Sequence, residues 1–124
     1  MTQTVSVLVI EDEEFLREMI LNILQTRGFK AMGTGNARQG LHLAKELVPD
    51  LIVCDIRMPE LDGYEVLKAL RQDPLTASIP LIFLTAETLQ NVVRQGQLLG
   101  ANGYLTKPFT TAQLLEAIAT HLKK

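Results

Sequence analysis

The sequence has few of the residues that disulfides and zinc sites require. It contains one cysteine, Cys54, and two histidines, His42 and His121, in 124 residues. A single thiol excludes an internal disulfide, and this ligand set does not suit zinc. The lone cysteine fits a reducing compartment, so we expect a cytoplasmic protein.

Long apolar runs and clusters of positive charge are also missing. No run approaches the roughly 20 apolar residues of a membrane-spanning helix, so no membrane contact is expected. The start, Met1 to Thr4, lacks the basic segment and apolar core of a secretory signal. The net charge of −2, without a basic cluster, argues against direct nucleic-acid binding. A length of 124 residues suits one domain over residues 1–124.

What the sequence does contain is four short apolar runs that each end in a polar group. The runs are followed by Glu11 and Asp12, by Asp55, by Thr85 and by Lys107. Such runs are typical of strands buried on both faces of a parallel sheet. Because sites in open α/β sheets form outside the carboxyl ends of the strands, we expect these side chains to converge.

Helical patterns alternate with these runs and with one weaker strand over 29–34. Asn36 (with Gln39), Asp62 (with Glu65) and Thr110 are predicted helix caps. Five strands alternating with five helices predict a three-layer α/β domain with a parallel sheet. The predicted strands are 5–10, 29–34, 51–55, 81–85 and 104–106, and the predicted helices are about 13–27, 36–47, 62–73, 88–99 and 110–122.

The converging residues indicate metal and phosphate chemistry. Two carboxylates about 5 Å apart repel by roughly 3 kcal/mol at an effective dielectric near 20. A divalent cation such as Mg²⁺ or Mn²⁺ would relieve this repulsion among Glu11, Asp12 and Asp55. A carboxylate can also attack a phosphoryl group, whose oxygens Lys107 and Thr85 would then contact. The alternative for the first two acids is that they only cap the first helix.

Five segments together resemble the receiver domains of bacterial response regulators, from end to end of the chain. The resemblance implies a flavodoxin-like sheet of order 2-1-3-4-5. It implies that Asp55 accepts a phosphoryl group from a sensor histidine kinase or phosphotransfer protein, with Thr85 and Lys107 assisting. It also implies that Asp12 and Asp55 hold Mg²⁺, with help from Glu11 and from the backbone carbonyl of Arg57. Many relatives have aspartate in place of Glu11. Finally, it implies a cis peptide bond between Lys107 and Pro108. The segments are 9–13 (VIEDE), 55–59 (DIRMP), 61–65 (LDGYE), 85–86 (TA) and 100–109 (GANGYLTKPF).

The resemblance further implies a route by which the signal leaves the site. Thr85 would move toward the phosphoryl group, and Tyr104 would rotate from outside to inside. The changing surface would comprise the predicted helix over 88–99, the last strand and the last helix. It would contact a downstream output protein or domain, and a phosphorylation-linked dimer would use the same surface. Such a protein is a signalling switch rather than an enzyme, catalysing only its own phosphotransfer and dephosphorylation.

Two further hypotheses concern residues near the site. Phe15 and Met19 fall away from the core stripe of the first helix and are candidates for a kinase-docking face; boundary packing is the alternative. Arg57 and Glu87 each stand two positions beyond a key residue. In similar domains these two positions influence the lifetime of the phosphoryl group.

Other phosphate-binding classes fit the sequence poorly. A flavin-binding flavodoxin needs a phosphate-cradling loop where residues 11–14 are all acidic. A haloacid-dehalogenase-type phosphatase needs a second aspartate where Arg57 stands. Gly33 and Gly35 form a fragment of a dinucleotide fingerprint, but Arg38 replaces its third glycine. Three contexts stay open: a free-standing regulator, the receiver portion of a longer one such as a DNA-binding transcription factor, and a docking-only receiver that is not phosphorylated.

Overall fold

The chain alternates strands and helices in the computed structural model, which describes residues 4–86 and 100–122. The predicted helix over 88–99 lies outside these residues. None of the described helices is long and apolar enough to cross a membrane. The strands are β1 (Ser6–Ile10), β2 (Lys30–Thr34), β3 (Leu51–Asp55), β4 (Leu81–Thr85) and β5 (Gly103–Thr106). The described helices are α1 (Glu14–Thr26), α2 (Ala37–Leu47), α3 (Gly63–Gln72) and the C-terminal helix (Thr111–His121).

The five strands form one parallel sheet in the order β2-β1-β3-β4-β5. This confirms the predicted flavodoxin-like fold, including the weak second strand. Ile10 pairs with Cys54, Asp55 with Leu84, and Thr85 with Thr106. The polar residues at the strand ends therefore share one edge of the sheet. The strand order reverses direction between β1 and β3, and folds of this type bind ligands at that point.

The sheet is buried on both faces, which explains its continuous apolar runs. Leu8 and Ile10 face a core shared with α2 and α3, whereas Val7 and Val9 face the core shared with α1 and the C-terminal helix. Successive residues of a strand point to opposite faces, so a strand in a middle layer needs apolar residues at every position.

Side-chain caps start three of the described helices. Asp62 and Thr110 each complete a capping box with the residue three positions later. The predicted pair of Asn36 and Gln39 forms only half of one: Asn36 accepts a hydrogen bond from the Gln39 amide nitrogen. The Gln39 side chain instead accepts a 2.6 Å hydrogen bond from the Thr34 hydroxyl.

Candidate functional site

Two strands bring three carboxylates to the same edge of the sheet. Glu11 directly follows β1 and is completely buried, whereas Asp12, the next residue, is exposed. Asp55 ends the adjacent strand β3 and is 6% exposed. One carboxylate oxygen from each of the three lies within 4.8 Å of the other two. The predicted acidic cluster is therefore present, and it opens to solvent on the side of Asp12.

Lys107, the residue after β5, reaches into this cluster. Its ammonium nitrogen lies 2.9 Å from Glu11 Oε1 and 3.2 Å from Asp55 Oδ1. The sequence predicted that Lys107 would face the phosphoryl oxygens, but it did not predict the shorter contact with Glu11. The peptide bond between Lys107 and Pro108 is cis, as the resemblance implied.

Burial dominates the electrostatics of the cluster. It raises the pKa of Glu11 to about 7, although hydrogen bonds from the Glu13 amide and Lys107 act in the opposite direction. Burial also raises the pKa of Asp55, against the lowering effect of the Lys107 charge. Burial lowers the pKa of Lys107, but Glu11 and Asp55 together outweigh this and raise it. The cluster is therefore short of positive charge.

The donor set suits a small, hard divalent cation. Carboxylate oxygens are ligands that Mg²⁺ and Mn²⁺ prefer. Opposite ligands of a Mg²⁺ ion bound at 2.0–2.1 Å lie about 4.2 Å apart. Oxygens that already lie within 4.8 Å of one another need only small side-chain movements to reach that spacing. Glu11, Asp12 and Asp55 thus fit such an ion, and its charge would offset their repulsion.

Thr85 and Lys107 are held side by side at the same edge. Thr85 ends β4 and is 2% exposed, and its carbonyl oxygen accepts a 2.7 Å hydrogen bond from the Lys107 amide. Arg57 lies in the loop after β3, with its side chain exposed. Its role as a carbonyl ligand therefore stays a prediction. Glu87, its predicted counterpart, lies outside the described residues.

Tyr104 occupies β5, which β4 separates from the strand that carries Asp55. It is half-buried, and its ring centroid lies 6.1 Å from that of Phe83. Phe83 in turn packs edge-on against Tyr64 at 5.3 Å. A row of three aromatic rings therefore connects β5 to α3 beneath the site. The rotation of Tyr104 stays a prediction.

An apolar groove opens beside the acidic cluster. Phe15 and Met19 of α1 border it and are 78% and 39% exposed. Lys107, Pro108 and Phe109 form its other wall, and its volume is about 440 Å³. The sequence placed the two α1 residues near the acids, but the contribution of Phe109 was not predicted.

Two residues that support the site were missed. Gly63 starts α3 directly against the strand end: an added Cβ would lie 2.5 Å from the carbonyl oxygen of Asp55 and 2.8 Å from Ile56 Cα. Arg17 of α1 donates a 2.9 Å hydrogen bond to the Glu11 carbonyl oxygen. Gly63 follows a predicted cap and lies in the segment 61–65 that carries the resemblance, but neither signal indicated its contact with Asp55. Arg17 reaches β1 through the tertiary packing of α1 on the sheet, which the sequence pattern did not indicate.

The fold and this arrangement of side chains match a known family. Residues 7–119 fit the family model of the response regulator receiver domain. The chain belongs to that family. The receiver domain is 34% identical to the polar-differentiation response regulator DivK of Brucella anthropi, covering 94% of this chain and 95% of DivK. It is 34% identical to the phosphate regulon transcriptional regulatory protein PhoB of Pseudomonas aeruginosa, covering 96% of this chain but only 52% of PhoB.

Solved structures agree with this assignment. The chemotaxis protein CheY4 of Vibrio cholerae superposes with a TM-score of 0.93 at 31% identity, covering 97% of the receiver domain and 100% of that chain. The receiver domain of the sensor histidine kinase PA1611 from Pseudomonas aeruginosa gives a TM-score of 0.87 at 28% identity, covering 96% and 98%. That structure is described as having a magnesium ion coordinated in its active site cleft.

Proposed function

We propose that residues 1–124 form a phosphorylatable switch that accepts a phosphoryl group on Asp55. The observation that carries this proposal is the position of Asp55 at the sheet edge, where Asp55 Oδ1 lies 3.2 Å from the Lys107 ammonium nitrogen and the Asp55 carboxylate lies within 4.8 Å of the other two acids. An Asp55 carboxylate oxygen attacks the phosphorus of a phosphohistidine on a sensor kinase or phosphotransfer protein. The new O–P bond forms as the P–N bond breaks, and the electron pair leaves with the imidazole nitrogen.

The neighbouring side chains prepare Asp55 for this attack. Lys107 opposes the rise in pKa that burial causes at Asp55, and so favours the ionised nucleophile. After transfer, its ammonium group and the Thr85 hydroxyl contact phosphoryl oxygens. A bound Mg²⁺ or Mn²⁺ would supply positive charge to the carboxylates and to the transferred group. Glu11, Asp12, Asp55 and the Arg57 carbonyl would hold it.

The acyl phosphate is lost when water attacks its phosphorus, breaking the O–P bond and regenerating the Asp55 carboxylate. The receiver domain thus acts only on its own phosphoryl group, as a signalling protein does. Arg57, whose side chain is exposed in the loop after β3, would together with Glu87 set the rate at which water enters.

The proposal includes two protein surfaces and a location. The groove bordered by Phe15, Met19 and Phe109 would receive the phosphodonor, because it is apolar and reaches Lys107. Tyr104 would transmit the change to the surface formed by 88–99, β5 and the C-terminal helix. That surface would contact the output partner or a second phosphorylated copy. Family membership supports the cytoplasm as the location.

The first experiment is intact mass spectrometry after incubation with acetyl phosphate, with and without Mg²⁺. The expected result is a Mg²⁺-dependent gain of one phosphoryl group that is absent in Asp55→Asn. No gain under any condition would overturn the proposal and favour a docking-only receiver. A gain that persists in Asp55→Asn would assign the phosphoryl group to another residue.

The switch itself has a separate test. Tyr104 carrying a ring ¹⁹F label should change its chemical shift on phosphorylation, because its ring leaves one environment for another. Thr85→Ala should reduce the change while still accepting the phosphoryl group. One unchanged Tyr104 signal in both states would remove this part of the proposal.

A further inference from the structure

Arg17 completes the backbone hydrogen bonding of Glu11 where the β1–β2 ladder ends. The ladder runs as far as the pair of Ile10 and Thr34, and one bond continues beyond it: the Glu11 amide donates to the Thr34 carbonyl at 3.0 Å. In a parallel ladder the Glu11 carbonyl would next accept from the Asn36 amide. That amide instead donates to the Thr34 hydroxyl at 3.2 Å, as the chain turns into α2. The Arg17 guanidinium takes its place at 2.9 Å.

Two glycines, Gly33 in β2 and Gly35 just after it, lie against the Arg17 side chain. An added Cβ at Gly35 would lie 2.6 Å from Arg17 Nη1. One at Gly33 would lie 3.3 Å from Arg17 Cγ and 2.9 Å from Leu21 Cδ1. The side chain therefore runs along the end of β2, with its stem beside one glycine and its charged end beside the other. Close packing against α1 therefore accounts for both glycines, whose spacing is an incomplete dinucleotide fingerprint.

We propose that Arg17 is a positioning residue for the acidic cluster, acting through the Glu11 carbonyl. That carbonyl belongs to the peptide that joins Glu11 to Asp12, so its orientation determines how both acids leave the strand. The Glu11 carboxylate is itself held by Lys107 at 2.9 Å and by the Glu13 amide at 3.0 Å. Arg17 fixes the backbone from which this arrangement projects. The inference rests on the proposed metal and phosphoryl site.

The metal affinity of the unphosphorylated protein tests this role. Mn²⁺ binding, followed by electron paramagnetic resonance, does not depend on phosphotransfer. Arg17→Met keeps the apolar stem and removes the donor. We expect its Mn²⁺ dissociation constant to rise about three- to tenfold, at or below the usual effect of partners that orient metal ligands. Arg27→Met, an exposed change at the other end of α1, is the matched control and should leave Mn²⁺ binding unchanged.

A double-mutant cycle distinguishes positioning from simple packing. Gly35→Ala would displace the guanidinium from the Glu11 carbonyl and should weaken Mn²⁺ binding in the wild-type background. In the Arg17→Met background the same change should have little further effect, because the displaced group is already absent. Equal losses in both backgrounds would show that Gly35 acts without Arg17 and would overturn the proposal.

The remaining outcomes separate this inference from the proposed function. Normal Mn²⁺ affinity in Arg17→Met, with wild type also binding, overturns the role of Arg17 alone. No Mn²⁺ binding by wild type overturns the metal site and this role together, whereas phosphorylation of Asp55 is judged separately by mass spectrometry. Thermal unfolding of each variant verifies that the protein is folded at the temperature of the titration.

Discussion

Lys107 Nζ donates a 2.9 Å hydrogen bond to Glu11 Oε1 and so joins the end of β5 to the end of β1, across the two strands between them. Glu11 is completely buried, so its carboxylate depends on this contact and on the Glu13 amide for neutralisation. These contacts do not compensate for burial, which raises the pKa of Glu11 to about 7. The metal-free site is therefore a source of instability that protons or a cation can relieve.

The stability of the metal-free protein should fall between mildly acidic and mildly alkaline pH. Glu11 titrates near 4.5 when unfolded and near 7 when folded, so between these values the folded state holds the extra proton. The free energy of unfolding then decreases as pH rises through this window. We expect a decrease of about 1–3 kcal/mol from pH 5 to pH 8 from this group, measured by urea unfolding in EDTA. Burial also raises the pKa of Asp55, so this group lowers the free energy of unfolding in the same direction as pH rises.

Glu11→Gln isolates this contribution. The amide cannot ionise, so the unfolding midpoint of this variant should vary less with pH. Its single carbonyl oxygen can replace only one of the two carboxylate oxygens that accept hydrogen bonds from Lys107 and the Glu13 amide. Mg²⁺ should stabilise the wild type more at pH 8 than at pH 5, because protons compete with the metal for the carboxylates. The same pH slope in both proteins would contradict the assignment to Glu11.

Asp12→Ala should raise the stability of the metal-free protein and abolish Mg²⁺-dependent phosphorylation. The substitution removes one of three neighbouring carboxylates and relieves repulsion of Asp55. We expect a gain of about 0.5–1 kcal/mol, because Asp12 is exposed and solvent screens its charge. Glu18→Ala, which removes an exposed acid from α1, is the control and should change stability little. A fall in metal-free stability on Asp12→Ala would count against a strained acidic cluster.

The sequence was sufficient to predict which residues share the sheet edge, because that depends only on strand ends and parallel topology. Glu11, Asp55, Thr85 and Lys107 all follow from apolar runs that stop at a polar group. The order of the strands came from the resemblance, since alternating strands and helices alone permit several orders. Which acid Lys107 contacts most closely depends on side-chain geometry, which the pattern of strand ends does not contain.

Residues that act through the backbone were beyond sequence reasoning for a different reason. Arg17 reads as an ordinary polar residue of an amphipathic helix, and its partner is a carbonyl oxygen, which every residue possesses. Gly63 reads as part of a helix start, yet what requires glycine there is the carbonyl oxygen of Asp55, eight positions earlier. The predicted cap at Asn36 was only half correct because the hydroxyl of Thr34, two positions earlier, donates a hydrogen bond to the Gln39 side chain.

Gly63→Ala should disturb Asp55 as well as the stability of the fold. The added methyl group would lie 2.5 Å from the Asp55 carbonyl oxygen, so α3 and the strand end must separate. We expect a loss of about 2–3 kcal/mol and slower phosphorylation by acetyl phosphate. Gly28→Ala is the control: φ is +87° there, and nothing lies near the added carbon. That variant should lose about 1 kcal/mol from backbone strain but keep its phosphorylation rate. Equal rates in both variants would contradict the role of Gly63.

Phe15→Ala should impair transfer from a histidine kinase but not from acetyl phosphate. Phe15 is 78% exposed on the groove beside Lys107, so its removal alters a protein-contact surface without disturbing the core. We expect at least a several-fold lower rate of kinase-driven transfer, because exposed aromatic side chains commonly dominate such contacts. Leu75→Ala, an equally apolar change at a 62% exposed position not on the groove, should leave both rates unchanged. An unaltered kinase-driven rate in Phe15→Ala would favour boundary packing.

Arg71→Met should destabilise the domain without altering phosphorylation chemistry at the opposite edge of the sheet. The Arg71 guanidinium donates to the carbonyl oxygens of Ile79 (2.8 Å) and Gly100 (3.0 and 3.1 Å) and to Asn102 Oδ1 (2.9 Å), while Asn102 Oδ1 also accepts from the Leu81 amide. The substitution leaves these acceptors without their charged donor near the starts of β4 and β5. We expect a loss of about 2–3 kcal/mol in urea unfolding. Lys68→Met, an exposed change on the same helix, should be nearly neutral. If the two variants unfold at the same urea concentration, the Arg71 hydrogen bonds do not stabilise the domain. A phosphorylation rate below that of the wild type in folded Arg71→Met would show that these bonds also affect the site.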